Sequence, residues 1–183
     1  MTLADLAGRL PDYAKDIKLN LSSLRQDVTL TPQQRDGTFL ACAMATAYRP
    51  FITAMEAEVA PALSPDAVQA AKAAAAIMQM NNVYYRFVHL ASNQEYHTLP
   101  AKLRMNIIGR PGIEKVDFEL FSLAVSAMNG CGLCIDSHEK VLKEHGVSSE
   151  KIQTAVRIAA TVMAVARTLQ AEGVEGAAIA QAA

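Results

Sequence analysis

Cys131 and Cys134 stand at C-x-x-C spacing, and His138 follows four residues after the second cysteine, within the stretch Gly130-Cys131-Gly132-Leu133-Cys134-Ile135-Asp136-Ser137-His138. On a helix these three side chains occupy i, i+3 and i+7, which is one face. Asn129-Gly130 just before them is a helix-stop signal, so the pair is predicted to open a new helix. There the unpaired backbone N–H groups and the helix dipole favour an anion, and for a cysteine that anion is a thiolate. An imidazole four residues from a thiol can take its proton and hold the thiolate as an ion pair. The chemistry this favours is a redox dithiol. Two readings compete with it. A structural zinc site takes four ligands, and beyond Cys131, Cys134 and His138 the fourth would have to be Cys42 or a distant histidine. An accidental or merely buried cysteine pair is the plainer alternative.

Two effects bear on which thiol is the nucleophile. Cys131 lies nearest the helix start, where the dipole contributes about 0.3–1 kcal/mol at exposed sites. Cys134 lies one turn from His138, and a hydrogen bond to a charged group contributes roughly 1.5–3 kcal/mol. The balance leans toward Cys134. Glu119 is flanked by Phe118, Leu120, Phe121 and Leu123, and it shares i, i+3, i+7 spacing with Ser122 and Ser126. A buried helix therefore carries one polar stripe pointing on toward the cysteines. A carboxyl in apolar surroundings exchanges protons nearer neutrality, which makes Glu119 a candidate relay partner. Cys42, in an Ala-rich stretch, reads as a small core residue. His89, His97 and His145 have no comparable context. Lys140, Lys143 and Glu144 read as the solvated side of the C-x-x-C helix.

The elements that must position these groups are helical almost throughout. Pro11 opens a helix over 13–24. Thr31-Pro32-Gln33-Gln34 is a capping box with proline at N1, opening a helix to about residue 48. Pro50 separates this from a shorter helix ending before Pro61. Ser64-Pro65-Asp66 caps a long Ala-rich helix reaching about residue 88. Residues 89–100 read as an irregular connection, 101–108 as a short helix and Gly109-Arg110-Pro111-Gly112 as a turn. A helix over 117–128 leads to the cysteines, and Gly146 ends the C-x-x-C helix. Ser148 caps a last helix over 150–171, apolar on most faces and expected to be central. No segment alternates as a strand does. The stretch Ala75-Ala76-Ile77-Met78-Gln79-Met80-Asn81-Asn82 echoes Leu123-Ala124-Val125-Ser126-Ala127-Met128-Asn129-Gly130, which suggests an internal helix-pair repeat whose first copy lacks the cysteines.

The chain has 183 residues and is 51% apolar, enough to fill the core of one all-α domain over 1–183. A net charge of −1 leaves no basic footprint for nucleic acid. No uninterrupted apolar run reaches the roughly 18 residues of a membrane span, and the N-terminus does not read as a secretory signal. The expected location is the cytoplasm, where C-x-x-C indicates transient redox chemistry or metal.

Glu119, then eleven residues, Cys131-x-x-Cys134, then three residues and His138, resembles the signature of the alkyl hydroperoxidase D (AhpD) family in the carboxymuconolactone decarboxylase-like superfamily. The likeness extends over nearly the whole chain. It includes Leu10-Pro11-Asp12-Tyr13-Ala14-Lys15-Asp16-Ile17-Lys18-Leu19-Asn20, Asn81-Asn82-Val83-Tyr84-Tyr85-Arg86, and Leu103-Arg104-Met105-Asn106-Ile107-Ile108. The resemblance implies an all-helical homotrimer that reduces organic hydroperoxides and H2O2 as an antioxidant in bacteria. It implies that peroxide oxidises Cys134 to a sulfenic acid and that Cys131 closes the redox disulfide. Glu119 and His138 would form a proton relay. It further implies electron transfer to the peroxiredoxin AhpC. The expected reductant is the lipoyl group of a 2-oxo acid dehydrogenase E2 subunit, with lipoamide dehydrogenase and NADH behind it. No bound cofactor and no metal are expected. One departure stands out. In the best-known members a histidine directly precedes the second cysteine, and here that place is Leu133. Two other functions fit the same motif: a dithiol carrier serving AhpC with little peroxidase turnover, and a cofactor-free decarboxylase of the wider superfamily, which would not need two thiols.

Overall fold

A computed structural model describes residues 1–174 of the chain. Among them lie nine α-helices and no strand: α1 (Leu3–Gly8), α2 (Lys15–Arg25), α3 (Pro32–Ala45), α4 (Arg49–Val59), α5 (Pro65–Leu90), α6 (Asn106–Gly109), α7 (Lys115–Met128), α8 (Gly132–Glu144) and α9 (Ser149–Ala171). The starts follow the capping chemistry. Gln34 N–H donates to the Thr31 hydroxyl at 3.2 Å while the Gln34 side chain accepts from Thr31 N–H. Ser64 and Ser148 cap α5 and α9 in the same way. Pro32, Pro50 and Pro65 sit in the first turns of their helices, where no N–H is missed. α1 has no counterpart in the sequence expectations. Its signal is the Thr2/Asp5 capping box, the aspartate doing at N3 what glutamate more often does.

α3 and α7 are the innermost helices. Residues 36–43 of α3 and 117–126 of α7 are buried without interruption. α3 packs on α4, α5, α7 and α9, and α7 packs on α3, α5, α8 and α9. The two approach so closely at Gly37 that a Cβ there would stand 2.2 Å from the Phe121 ring. α9 is less central than its composition suggests. It packs on α2, α3 and α7, but Gln153, Arg157, Ala160 and Arg167 form an exposed stripe along it. By length and hydropathy α9 also passes for a membrane span, yet 56% of that apolar window is buried inside the fold, as in a core helix.

Two boundaries differ from expectation. α5 continues to Leu90, and a 3-10 turn over Gln94–His97 follows, started by the Asn93 side chain. The helix expected over 101–108 is reduced to the single turn of α6. Lys102 has φ 51°, incompatible with helix, and no side chain caps the start.

Candidate active site

α7 ends at Met128, and the chain turns into α8 within three residues. Gly130 takes φ 65°, a left-handed conformation that glycine adopts at low cost. Arg86 Nη1 reaches over from α5 to donate to the Asn129 carbonyl at 2.6 Å. Cys131 is then the N-cap of α8, with extended backbone, rather than its first turn. Its N–H donates to the Ser126 carbonyl at 3.2 Å, and its Sγ accepts the Cys134 N–H at 3.3 Å. Cys131 and Cys134 are joined by a disulfide, with Cα atoms 5.3 Å apart. Cys131 is fully buried, whereas Cys134 keeps 6% of its surface exposed. Cys134, His138 and Leu142 form the buried stripe of α8, and Lys140, Lys143 and Glu144 face solvent as expected.

Glu119 on α7 and His138 on α8 meet in the interior. Glu119 Oε2 lies 2.6 Å from His138 Nδ1, and both side chains are almost wholly buried. A charged pair removed from water persists only with good geometry, and removing one partner strands the other. The second ring nitrogen, Nε2, lies 3.2 Å from the Met78 sulfur of α5. A thioether only accepts, so this contact is a hydrogen bond when Nε2 carries a proton. The imidazole therefore contacts Glu119 and Met78 rather than the Cys134 sulfur expected from the i+4 spacing. The disulfide explains the difference, because a bridged Cys134 has neither a proton to give nor a charge to attract the ring.

The polar network continues behind this pair. Ser126 Oγ sits 3.5 Å from the Met78 sulfur and accepts from Asn82 Nδ2 at 2.9 Å. Asn129 Nδ2 in turn donates to Asn82 Oδ1 at 2.9 Å. Ser126 on the predicted stripe is thus bonded, while the buried Ser122 hydroxyl has no partner among the described residues. Met78 and Asn82 are the site residues that chemistry-based reading missed. The signal that could have found them is the echo between the two Asn-ending segments, since Met78 touches its own counterpart Ser126.

A cavity of about 500 Å³ opens over this arrangement. Cys134, Glu119 and His138 line it together with apolar groups from Tyr85, Met105 and Leu133. Leu133, where a histidine is expected, is 38% exposed and presents apolar surface beside the disulfide. Cys131 does not line the cavity, nor do Cys42, His89, His97 or His145. Cys42 is enclosed in the core, where burial pushes its thiol far above the usual range. His145 bonds only locally, its Nδ1 donating to the Val141 carbonyl at 2.8 Å.

The chain has known relatives. The sequence profile of the carboxymuconolactone decarboxylase family matches residues 94–174. An alkyl hydroperoxide reductase AhpD from Rhizorhabdus wittichii is 67% identical over 166 residues, covering 91% of this chain and 96% of that protein. Proteins of the same name from Gluconacetobacter diazotrophicus and Brucella anthropi are 62% and 57% identical. They cover 92% and 96% of this chain, and 93% and 100% of their own lengths. Likeness of this extent means that the chain belongs to the AhpD family of alkyl hydroperoxide reductases.

Proposed function

We propose that this protein reduces organic hydroperoxides through its Cys131–Cys134 pair and takes its electrons from a dihydrolipoyl dithiol. One observation carries the reading: of the two cysteines, Cys134 alone lines the cavity, and it shares that cavity with the Glu119–His138 pair. In the dithiol state the Cys134 thiolate attacks the terminal oxygen of ROOH and the O–O bond breaks. The alkoxide leaves with a proton delivered by Glu119 and His138, and Cys134 becomes a sulfenic acid. The Cys131 sulfur then attacks the Cys134 sulfur, closing the disulfide and releasing water. The sum is ROOH plus two thiols giving ROH, water and a disulfide. A dihydrolipoyl group restores both thiols by two exchange steps and leaves as its own cyclic disulfide. The same dithiol can pass its electrons to the disulfide of AhpC. The apolar walls at Tyr85, Met105 and Leu133 suit an alkyl chain on either the hydroperoxide or the lipoyl arm.

A carrier role without peroxide turnover is the second reading, favoured by the exposed Leu133 that a partner could cover. Hydroperoxide consumption by the purified protein with dihydrolipoamide separates the two. Turnover without AhpC supports the reductase; turnover only when AhpC is added supports the carrier.

The protein is also proposed to assemble with copies of itself, as a trimer. Val83, Phe87 and Leu90 lie on one face of α5 and are all more than half exposed, with the Tyr96 ring tilted against Phe87 at 5.0 Å between ring centroids. Contiguous exposed apolar surface of this kind marks an interaction site. Sedimentation at micromolar concentration is expected to give a multiple of 19.6 kDa, and Phe87→Glu is expected to shift it toward the monomer.

A further inference from the structure

We propose that the Asn81 carboxamide binds the hydroperoxide group of the substrate beside Cys134; the inference rests on the hydroperoxidase reading above. Asn81 and Asn82 are neighbours on α5 and have opposite fates. Both ends of the Asn82 carboxamide are used, by Ser126 and Asn129. Asn81 is only 4% exposed, and its fully buried Oδ1 has no hydrogen-bond partner among the described residues. A buried amide without partners is destabilising, so a residue kept for packing alone would do better as an apolar one.

The place of Asn81 supplies the reason. It lines the cavity that holds Cys134, Glu119 and His138. Tyr85, another polar group on that wall, has its hydroxyl turned to the Met105 sulfur at 3.9 Å. A carboxamide offers one acceptor and two donors side by side. A hydroperoxide, R–O–O–H, offers one O–H donor and two acceptor oxygens side by side. Asn81 Nδ2 donates to the oxygen bearing R. This fixes the terminal oxygen for attack by the Cys134 sulfur. As the S–O bond forms and the O–O bond breaks, the terminal oxygen keeps its hydrogen and becomes the sulfenic OH. The second oxygen gathers charge, so the Nδ2 hydrogen bond strengthens before Glu119 and His138 deliver the proton. Donors placed where charge develops accelerate such a step.

The test uses Asn81→Leu, of similar shape without the amide, in the full-length protein. Three quantities are read: the rate at which pre-reduced protein forms its disulfide with cumene hydroperoxide, the rate at which dihydrolipoamide reduces that disulfide, and Tm. The peroxide step is expected to slow at least tenfold. The reduction step, which involves no peroxide oxygen, is expected to stay within twofold, and Tm to stay level or rise because an unpaired buried amide is gone. Should Asn81→Leu fail to fold, Asn81→Ala is read the same way. Failure of both to fold overturns the proposal in favour of a structural role. So does a parallel loss in both rates with a lowered Tm, and so does a peroxide rate within twofold of wild type. If the wild-type dithiol is itself inert to hydroperoxide, the hydroperoxidase reading fails first and takes this inference with it. A normal wild-type rate with an unaffected variant removes the Asn81 role alone.

Discussion

Residues 75–82 of α5 and 123–130 at the end of α7 echo one another, sharing three of eight letters, and are used in different ways. Both carry Met-Asn just before their last residue, and they pack so that Met78 meets Ser126 and Asn82 meets Asn129. In α5 the helix runs past the echo for two more turns to Leu90. In α7 it stops, because Gly130 takes a left-handed conformation where α5 has Asn82. That break places Cys131 at a helix N-cap and Cys134 in the first turn of α8. The unbroken copy supplies support instead: Met78 to His138, Asn82 to Ser126 and Asn129, and Arg86 to the end of α7. The disulfide sits where a helix is interrupted, and the neighbour that is not interrupted holds the pieces in place.

The largest effects should come from the cysteines, which only the broken copy leads to. Cys134→Ser is expected to abolish reaction with hydroperoxide. Cys131→Ser should react once and accumulate a sulfenic acid at Cys134, open to over-oxidation without its resolving thiol. Trapping with a sulfenic-acid reagent after brief exposure checks this. Label on Cys131 in the Cys134→Ser protein, and none on Cys134 in the converse protein, reverses the two roles. Burial points the same way as the imidazole argument, since Cys131 is sealed off while Cys134 lines the cavity.

Next come Glu119 and His138. Glu119→Gln and His138→Gln keep approximate size and hydrogen bonding at the 2.6 Å contact while altering proton exchange. Each is expected to leave a folded protein whose peroxidase rate is lower by about tenfold or more, the scale of general acid–base help. Wild-type turnover from about pH 6 to 8 would remove that residue from the relay. Truncation to alanine is a poorer test, because it strands a buried partner and costs roughly 3–5 kcal/mol of stability in addition.

The site was legible in the sequence to the extent that it is local. Cys131, Cys134 and His138 lie within eight residues, and the Glu119 stripe lies one helix earlier, so spacing on two helices suffices to connect them. The capping boxes and prolines likewise state the helix starts in place. Met78, Asn81 and Asn82 were not legible as site residues, because their role depends on how α5 crosses α7, which no local pattern encodes. Met78 in an Ala-rich helix looks like core filler until an imidazole nitrogen is found 3.2 Å from its sulfur. The failure at 101–108 is local instead: Lys102 takes φ 51°, and the single helical turn has no side-chain cap.

Asn82→Gly carries the glycine of the broken copy into the unbroken one. It removes both hydrogen bonds of a buried carboxamide, leaving Ser126 and Asn129 short of a partner at about 1–3 kcal/mol for a stranded buried group. It also places glycine inside a helix, at about 0.5 kcal/mol relative to an ordinary residue. A drop in Tm measured by calorimetry is expected, with α5 loosened behind His138. A variant as stable as wild type would mean that the Ser126–Asn82–Asn129 chain holds nothing together.

The reverse exchange should have the smallest effect and is the sharpest test of why the copies differ. An added Cβ at Gly130 meets no atom within 4 Å, so any penalty there is conformational and not steric crowding by neighbours. A left-handed conformation costs an L-residue about 1–2 kcal/mol, and about 1 kcal/mol shifts Tm by roughly 2–4 °C in a chain of this size. Gly130→Ala is therefore expected to lower Tm by several degrees. Gly130→Asn gives α7 the letters of α5, yet asparagine visits the left-handed region far more readily than alanine. If the backbone conformation alone ends α7, the asparagine variant should lie between wild type and the alanine variant in Tm, and its Cys131–Cys134 disulfide should still form and reduce normally. An asparagine variant that is less stable than the alanine one, or that forms the disulfide slowly, would show that the letter itself extends the helix. The difference between the two copies would then reside in helix propensity and not in the turn at Gly130.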